Sequence, residues 1–216
     1  MTQKIQIDLV SDIACPWCAI GYARLEQAMK ALTPDYQFTL QWHAFELNPD
    51  HTGEGEPILP ALARKYGRTE EEMRATQEQM IHTARELGVN FEKMQERTTC
   101  NTFDAHRLVK WSEEQGQATA MKQALFDAYF GKALDVSDHG VLLNCVRQVG
   151  LDQVEAQKVL ESDRYVQSVR DDETTYQQAG VSAVPAFIVN RKYLISGAQE
   201  ADTLVQAFRD ISAETE

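Results

Sequence analysis

The sequence predicts an α/β protein in which a βαβ unit at the start and a ββα unit at the end form one core, interrupted by a large all-helical insertion. Three observations predict it. Two strand-like segments flank an amphipathic helix before residue 50. A long middle stretch carries only helical periodicity. At Val184 the texture returns to a buried strand, a tight turn and a second strand. The expected division is residues 1–50 and 180–216 for the α/β domain and 51–179 for the insertion domain.

Ile5-Gln6-Ile7-Asp8-Leu9-Val10 alternates and then runs apolar, as a strand entering a core does. Ser11 to Ala14 is a turn. Ile20, Ala23, Leu25, Ala28 and Leu32 give residues Pro16 to Leu32 an apolar helical stripe. Pro16 suits a first helical turn, where its missing N–H costs nothing, and Thr33-Pro34 ends the helix. Tyr36 to Trp42 alternates as a half-buried strand, so the strand–helix–strand order predicts a parallel pair. Asn48 to Pro60 reads as a loop and a boundary. Thr69 with Glu72 forms a capping box for a helix running to about Leu87, with Gly88 as its stop. Asn101 or Thr102 caps a helix ending before Gly116. Met121, Leu125, Ala128 and Tyr129 share 3.6-residue spacing. Asp138 caps a helix stopped by Gly150, and Asp152–Leu160 and Asp163–Ala179 complete the block. Val184–Val189 is a buried strand, Asn190-Arg191 a tight turn, and Lys192–Ile195 the returning strand. Glu200 to Ile211 is an amphipathic helix with Leu204, Val205, Ala207, Phe208 and Ile211 on one side.

The 216 residues are 43% hydrophobic and 25% charged, which excludes disorder as the main state. The net charge of −12 repels phosphate backbones and anionic lipid, so neither nucleic acid nor a membrane surface is an expected partner. No apolar run approaches the roughly 20 residues of a membrane span. The start lacks a basic stretch followed by an apolar one, so the sequence reads as a whole translated chain located in the cytoplasm. There, structural disulfides are rare and closely spaced cysteines are more often catalytic or metal-binding.

Cys15-Pro16-Trp17-Cys18 sits where the first strand turns into the first helix. At a helix N-terminus, unpaired N–H groups and the macrodipole favour an anion, and the thiolate is the attacking species in disulfide exchange. Cys18, one turn further in, is placed to resolve a mixed disulfide, and Trp17 gives an apolar rim beside the nucleophile. A zinc site would want about four ligands. No second CxxC exists, and His43, His51, His82 and His139 show no metal-like spacing, so no metal is expected. Cys100 and Cys145 read as small buried apolar residues. Glu70 to Glu72 reads as an acidic first helical turn. Met73, Met80 and Met94 read as core rather than as a peptide groove.

Several segments together resemble the thioredoxin-fold superfamily, and within it the DsbA family with a helical insertion, nearest to its FrnE-like cytosolic group. They are Ser11 to Gly21, Phe45-Glu46-Leu47-Asn48-Pro49, Asn101 to Leu108, Gly180 to Phe187, and Gly197-Ala198-Gln199. The resemblance implies a thioredoxin-like core and a thiol–disulfide oxidoreductase or disulfide isomerase. Such a protein works through a redox-active Cys15–Cys18 disulfide and needs no other cofactor. Its partners are protein or small-molecule thiols and disulfides, with glutathione a candidate substrate or reductant; homodimers are common among such relatives. In that superfamily the proline matching Pro185 is cis and packs beside the cysteines, and the backbone at Val184 pairs with an extended substrate segment. Asn101 and His106 are groove candidates, against plainer readings as a helix cap and a structural histidine. Two departures stand out. The buried acid found six residues before the first cysteine is here Leu9, which leaves Asp12, a water or no specific group to serve Cys18. The second cysteine pair of some FrnE-like proteins is missing. Kappa-class glutathione transferases and chromene-carboxylate isomerases share the architecture but put serine at the first cysteine position. A glutathione-dependent transferase or isomerase and a chaperone-like binding protein are therefore the alternatives.

Overall fold

A computed structural model describes residues 2–214. Along the chain run β1 (Gln3–Ser11), α1 (Pro16–Leu32), β2 (Tyr36–Ala44), α2 (Ile58–Tyr66), α3 (Glu70–Glu86), α4 (Phe103–Glu113) and α5 (Ala118–Phe126). A single π-helical turn, Asp127–Gly131, continues α5. Then follow α6 (His139–Gln148), α7 (Gln153–Leu160), α8 (Val166–Gln178), β3 (Ala186–Val189), β4 (Tyr193–Ser196) and α9 (Ala201–Ala213). The expected α/β core with a helical block between its halves is the observed order.

The four strands form one sheet in the order β2-β1-β3-β4. β1 and β2 run parallel, with Gln3 opposite Tyr36 and Ser11 opposite Ala44. β3 returns antiparallel to β1, Ile7 facing Val189 and Val10 facing Ala186. Alternation in β1 sends Ile5, Ile7 and Leu9 into the main core, and Val10 to a smaller cluster with Val181 and Ala186. α9 covers the main face, its Phe208 ring 5.5 Å from Phe38. The same core continues without a break into the helical block through Leu108, Met121, Leu125, Tyr129, Phe130 and Leu142. Each such side chain contributes about 1.5–3 kcal/mol by leaving water, so sheet and insertion stabilise one another.

The capping box is present in full: Thr69 accepts from the Glu72 amide and Glu72 accepts from the Thr69 amide. Asp138 and Asp152 cap α6 and α7. Asn190 and Arg191 both take positive φ, 51° and 56°, which fits the twist of a two-residue hairpin. Three differences have physical reasons. The loop expected up to Pro60 ends early, because α2 starts at Ile58. Pro60 lies in its first turn, where an N–H has no intrahelical partner. Ala128 and Tyr129 are buried as their spacing suggests, but on the π turn rather than in an unbroken α-helix. The third strand begins at Ala186, because Pro185 has no N–H to give a ladder.

Candidate active site

β1 delivers the chain through a short turn to Cys15, the residue that caps α1 (φ −94°, ψ 112°). The Cys15 amide donates to the Asp12 carbonyl at 3.3 Å, and the Cys18 amide donates to the Cys15 carbonyl at 3.1 Å. Pro16 occupies the start of the helix and no side chain caps it. Cys15 therefore stands at the positive end of the α1 dipole. The Cys15 thiol donates to the Val184 carbonyl, with Sγ 3.6 Å from the oxygen. The Val184–Pro185 peptide is cis. A Cβ on Gly21 would stand only 3.0 Å from Pro185 Cγ, so a glycine is what lets α1 lie against this strand entry.

All four cysteines are free thiols. An exposed nucleophile was expected; Cys15 is only 5% exposed, because the 182–184 segment covers it. Its remaining surface opens into a groove of about 1140 Å³. Trp17, 41% exposed, stands on the same rim. Cys18 is fully buried, and burial followed by the neighbouring Cys15 thiol pushes its thiol well above the ordinary range.

Asp12 lies beneath the turn, 1% exposed. It accepts from the Leu47 amide at 2.8 Å, the Ala14 amide at 3.4 Å and His106 Nε2 at 3.2 Å. Burial alone would push this carboxyl up. The His106 and Leu47 bonds outweigh it and hold Asp12 below the usual carboxylate range. His106 Nε2 also meets the Phe45 carbonyl at 3.2 Å. Both partners accept, so this nitrogen carries the proton. Burial, followed by the Lys122 charge, pushes the imidazole below its ordinary value and leaves it neutral at pH 7. One carboxylate thus ties together the turn before Cys15, the segment after β2, and α4.

The structure brings Cys15, Pro16, Trp17 and Val184 to the groove, and sets Asp12, Cys18 and Pro185 behind it. It does not bring Asn101 and His106, the other two groove candidates, to that lining. His106 is 2% exposed and consumed by Asp12. Asn101 turns to Glu46 and to the Phe103 amide, as a cap of α4 would. The opposite wall comes from α2 and α3, including Leu62, Tyr66, Met73 and Met80. The methionines therefore serve both core and groove. Cys100 and Cys145 are buried, which pushes their thiols up to about 12 and about 11.

Two groups escaped the sequence reading. Arg97, 2% exposed, lies over the Tyr129 and Phe130 rings at 5.4 and 5.1 Å on the groove wall. Lys122 is fully buried and reaches the Ser11 carbonyl at 3.5 Å. A lysine next to Met121 on a short helix carries no sequence signal of burial.

A two-cysteine turn at the head of α1, a cis-proline strand entry against it, and the β2-β1-β3-β4 sheet define a thioredoxin-fold oxidoreductase. The chain belongs to the DSBA-like thioredoxin domain family, whose profile matches residues 6–209. It is 33% identical to a probable DsbA oxidoreductase from Streptomyces coelicolor, over 94% of this chain and 88% of that one, with a TM-score of 0.89. It is 26% identical to the uncharacterized protein YwbO of Bacillus subtilis (strain 168), over 95% of this chain and 96% of the relative. The cytosolic disulfide reductase DsbM from Pseudomonas aeruginosa, solved with GSH, shares the fold at 17% identity and a TM-score of 0.67, over 97% of this chain and 99% of that one.

Proposed function

We propose that this protein exchanges disulfides with protein or small-molecule thiols through Cys15 and Cys18. The observation that carries the reading is the placement of two free thiols one helical turn apart. Cys15 stands at the helix head, on the groove and under the Val184 carbonyl; Cys18 lies buried behind it. In the reducing direction the Cys15 thiolate attacks a substrate disulfide, one substrate sulfur leaves as a thiolate, and a mixed disulfide remains. Cys18 then loses its proton and bonds to Cys15, releasing the second substrate thiolate. The enzyme dithiol loses two electrons and two protons, and the substrate disulfide becomes two thiols. Oxidation of a substrate dithiol is the same sequence reversed.

Val184, backed by Pro185, forms the near wall for an extended substrate segment, Trp17 its apolar rim, and the 51–179 insertion the far wall. Glutathione is the proposed small-molecule partner, supported by the presence of GSH with DsbM. A cytoplasmic location fits four unpaired thiols and the cytosolic DsbM.

The test is the reduction potential of the Cys15–Cys18 pair, set against glutathione buffers and read by tryptophan fluorescence, together with insulin reduction by Cys15→Ser. A reversible two-electron transition, and loss of turnover in Cys15→Ser, are expected. Absence of the transition would sink the dithiol reading and favour a glutathione-dependent transferase. A potential near −270 mV, about that of thioredoxin, marks a reductase; one well above the cytosolic poise marks an oxidant or isomerase.

A further inference from the structure

We propose that Lys122 is a positioning residue for the resolving thiol: its buried ammonium, held on the Ser11 carbonyl behind the active-site turn, stabilises the Cys18 thiolate while the mixed disulfide is resolved. The inference rests on the dithiol reading above and names the charge that makes its second half feasible.

Cys18 is fully buried, and the step that closes the Cys15–Cys18 bond needs its thiolate. A thiolate without water needs a compensating charge or hydrogen-bond donor. Leu9, on the strand behind it, offers neither. Asp12 is negative and already occupied, and His106 is neutral and bonded to Asp12. The buried cation that acts on Cys18 is Lys122, on α5; Arg97, also buried, acts on Cys15 from the groove wall. Its Nζ lies 3.5 Å from the Ser11 carbonyl, and the next residue, Asp12, meets Cys18 through its backbone. Lys122 and Cys18 thus converge on one two-residue stretch of backbone.

The surroundings of Lys122 are unusual for a lysine. Its side chain is 0% exposed, and its ammonium lies 5.3 Å from the Trp42 ring and 5.7 Å from the Phe126 ring. Among the described residues no carboxylate is within salt-bridge distance of it. Ser11 Oγ beside it is buried without a hydrogen-bond partner. A lone buried ammonium is costly, and a purely structural position would be served as well by an apolar side chain. The charged and titratable groups that face it are Cys15 and Cys18 from α1, Asp12 from the turn, and Lys110 and His106 from α4. Burial pulls the Lys122 amine down to about 8, the thiols and Asp12 hold it up, and Lys110 opposes them. At neutral pH the group is mostly charged, and the Cys18 thiolate is the anion it lacks.

The decisive experiment times the resolving step at pH 7, where Lys122 is charged. Ellman's reagent loads Cys15 with 5-thio-2-nitrobenzoate, and closure of the Cys15–Cys18 bond releases that coloured thiolate, followed by stopped flow with and without Lys122→Met. Methionine matches the length and suits the slot between Trp42 and Phe126. Lys122→Met should slow the release about tenfold, the equivalent of one pH unit in the Cys18 thiolate fraction. Lys122→Arg, which keeps the charge, should return the rate toward the parent value. An unchanged release rate in a folded Lys122→Met protein overturns the proposal; if that variant does not fold, Lys122→Gln decides by the same reading. Should the parent protein exchange no disulfides with insulin or glutathione, the function proposed above falls, while release of the reporter thiolate still decides the role of Lys122.

Discussion

Replacing Asp12 with asparagine should destabilise the protein and change the shape of its stability–pH curve. In a site that is 1% exposed the carboxylate accepts from Leu47 on Oδ2 and from Ala14 and His106 on Oδ1, with the Thr102 side chain also bonded to it. Asparagine keeps one acceptor oxygen and turns the other into a donor. That NH2 must then face either the Leu47 amide or the proton of His106 Nε2, and neither can accept. One charge-assisted bond is lost and one buried donor is left unpaired, a cost of about 2 to 4 kcal/mol. The acid side carries a sharper signature. Asp12 ionises more readily folded than unfolded, so its contribution is fully present above the ordinary value of 3.8 and is lost as pH falls through the lower, folded one. Denaturant unfolding from pH 7 down to the acid limit measures both. A loss below about 0.5 kcal/mol, or an unchanged acid limb, would refute the account of this carboxylate as the tie between turn, β2 and α4.

Other expectations follow from the same geometry. Gly21→Ala puts a methyl 3.0 Å from Pro185 Cγ and 3.3 Å from Phe187 Cζ, so it should cost about 1–3 kcal/mol in a chemical denaturation series. Glu46 has a 1% exposed side chain and is raised to about 7, by burial first and by Glu173 next. An acid raised on folding loses stability as pH climbs from 4.5 toward 7, and Glu46→Gln should flatten that decline. Cys100 and Cys145, buried and raised, should resist iodoacetamide in the native protein and react on unfolding; mass spectrometry of pulse-labelled protein would show it.

The α/β frame was readable because it depends on local alternation. Ile5 to Val10 and Tyr36 to Trp42 carry period two, and Pro16 marks the first turn of α1. The caps at Thr69 and Asp138 were readable for the same reason, since each bonds within a few residues. The α2 helix was not, because Pro57 and Pro60 look like loop chemistry until they are placed at the cap and in the first turn, where no intrahelical N–H bond is needed. In the site, the Cys15–Cys18 spacing and its place before a helix were plain. The depth of Asp12 and His106 was not, since it comes from α4 docking on the turn after β1, 94 residues away in sequence. Lys122 shows the limit most clearly. Its neighbours Met121 and Leu125 mark an apolar face, and only the docking of α5 against Trp42 buries the lysine as well.

The pairing of β1 with β3 has a consequence for how the protein comes into being. Ile7 meets Val189, and Cys15 meets the Val184 carbonyl, only after the whole helical block has been made. Chains emerge from the ribosome N-terminus first. During synthesis the two reactive sulfurs are therefore outside before the segment that covers them exists. In that interval nothing shields them from oxidants or from thiols on other nascent chains. The entry to β3 acts as a closing latch, and Cys15 is covered when that latch arrives.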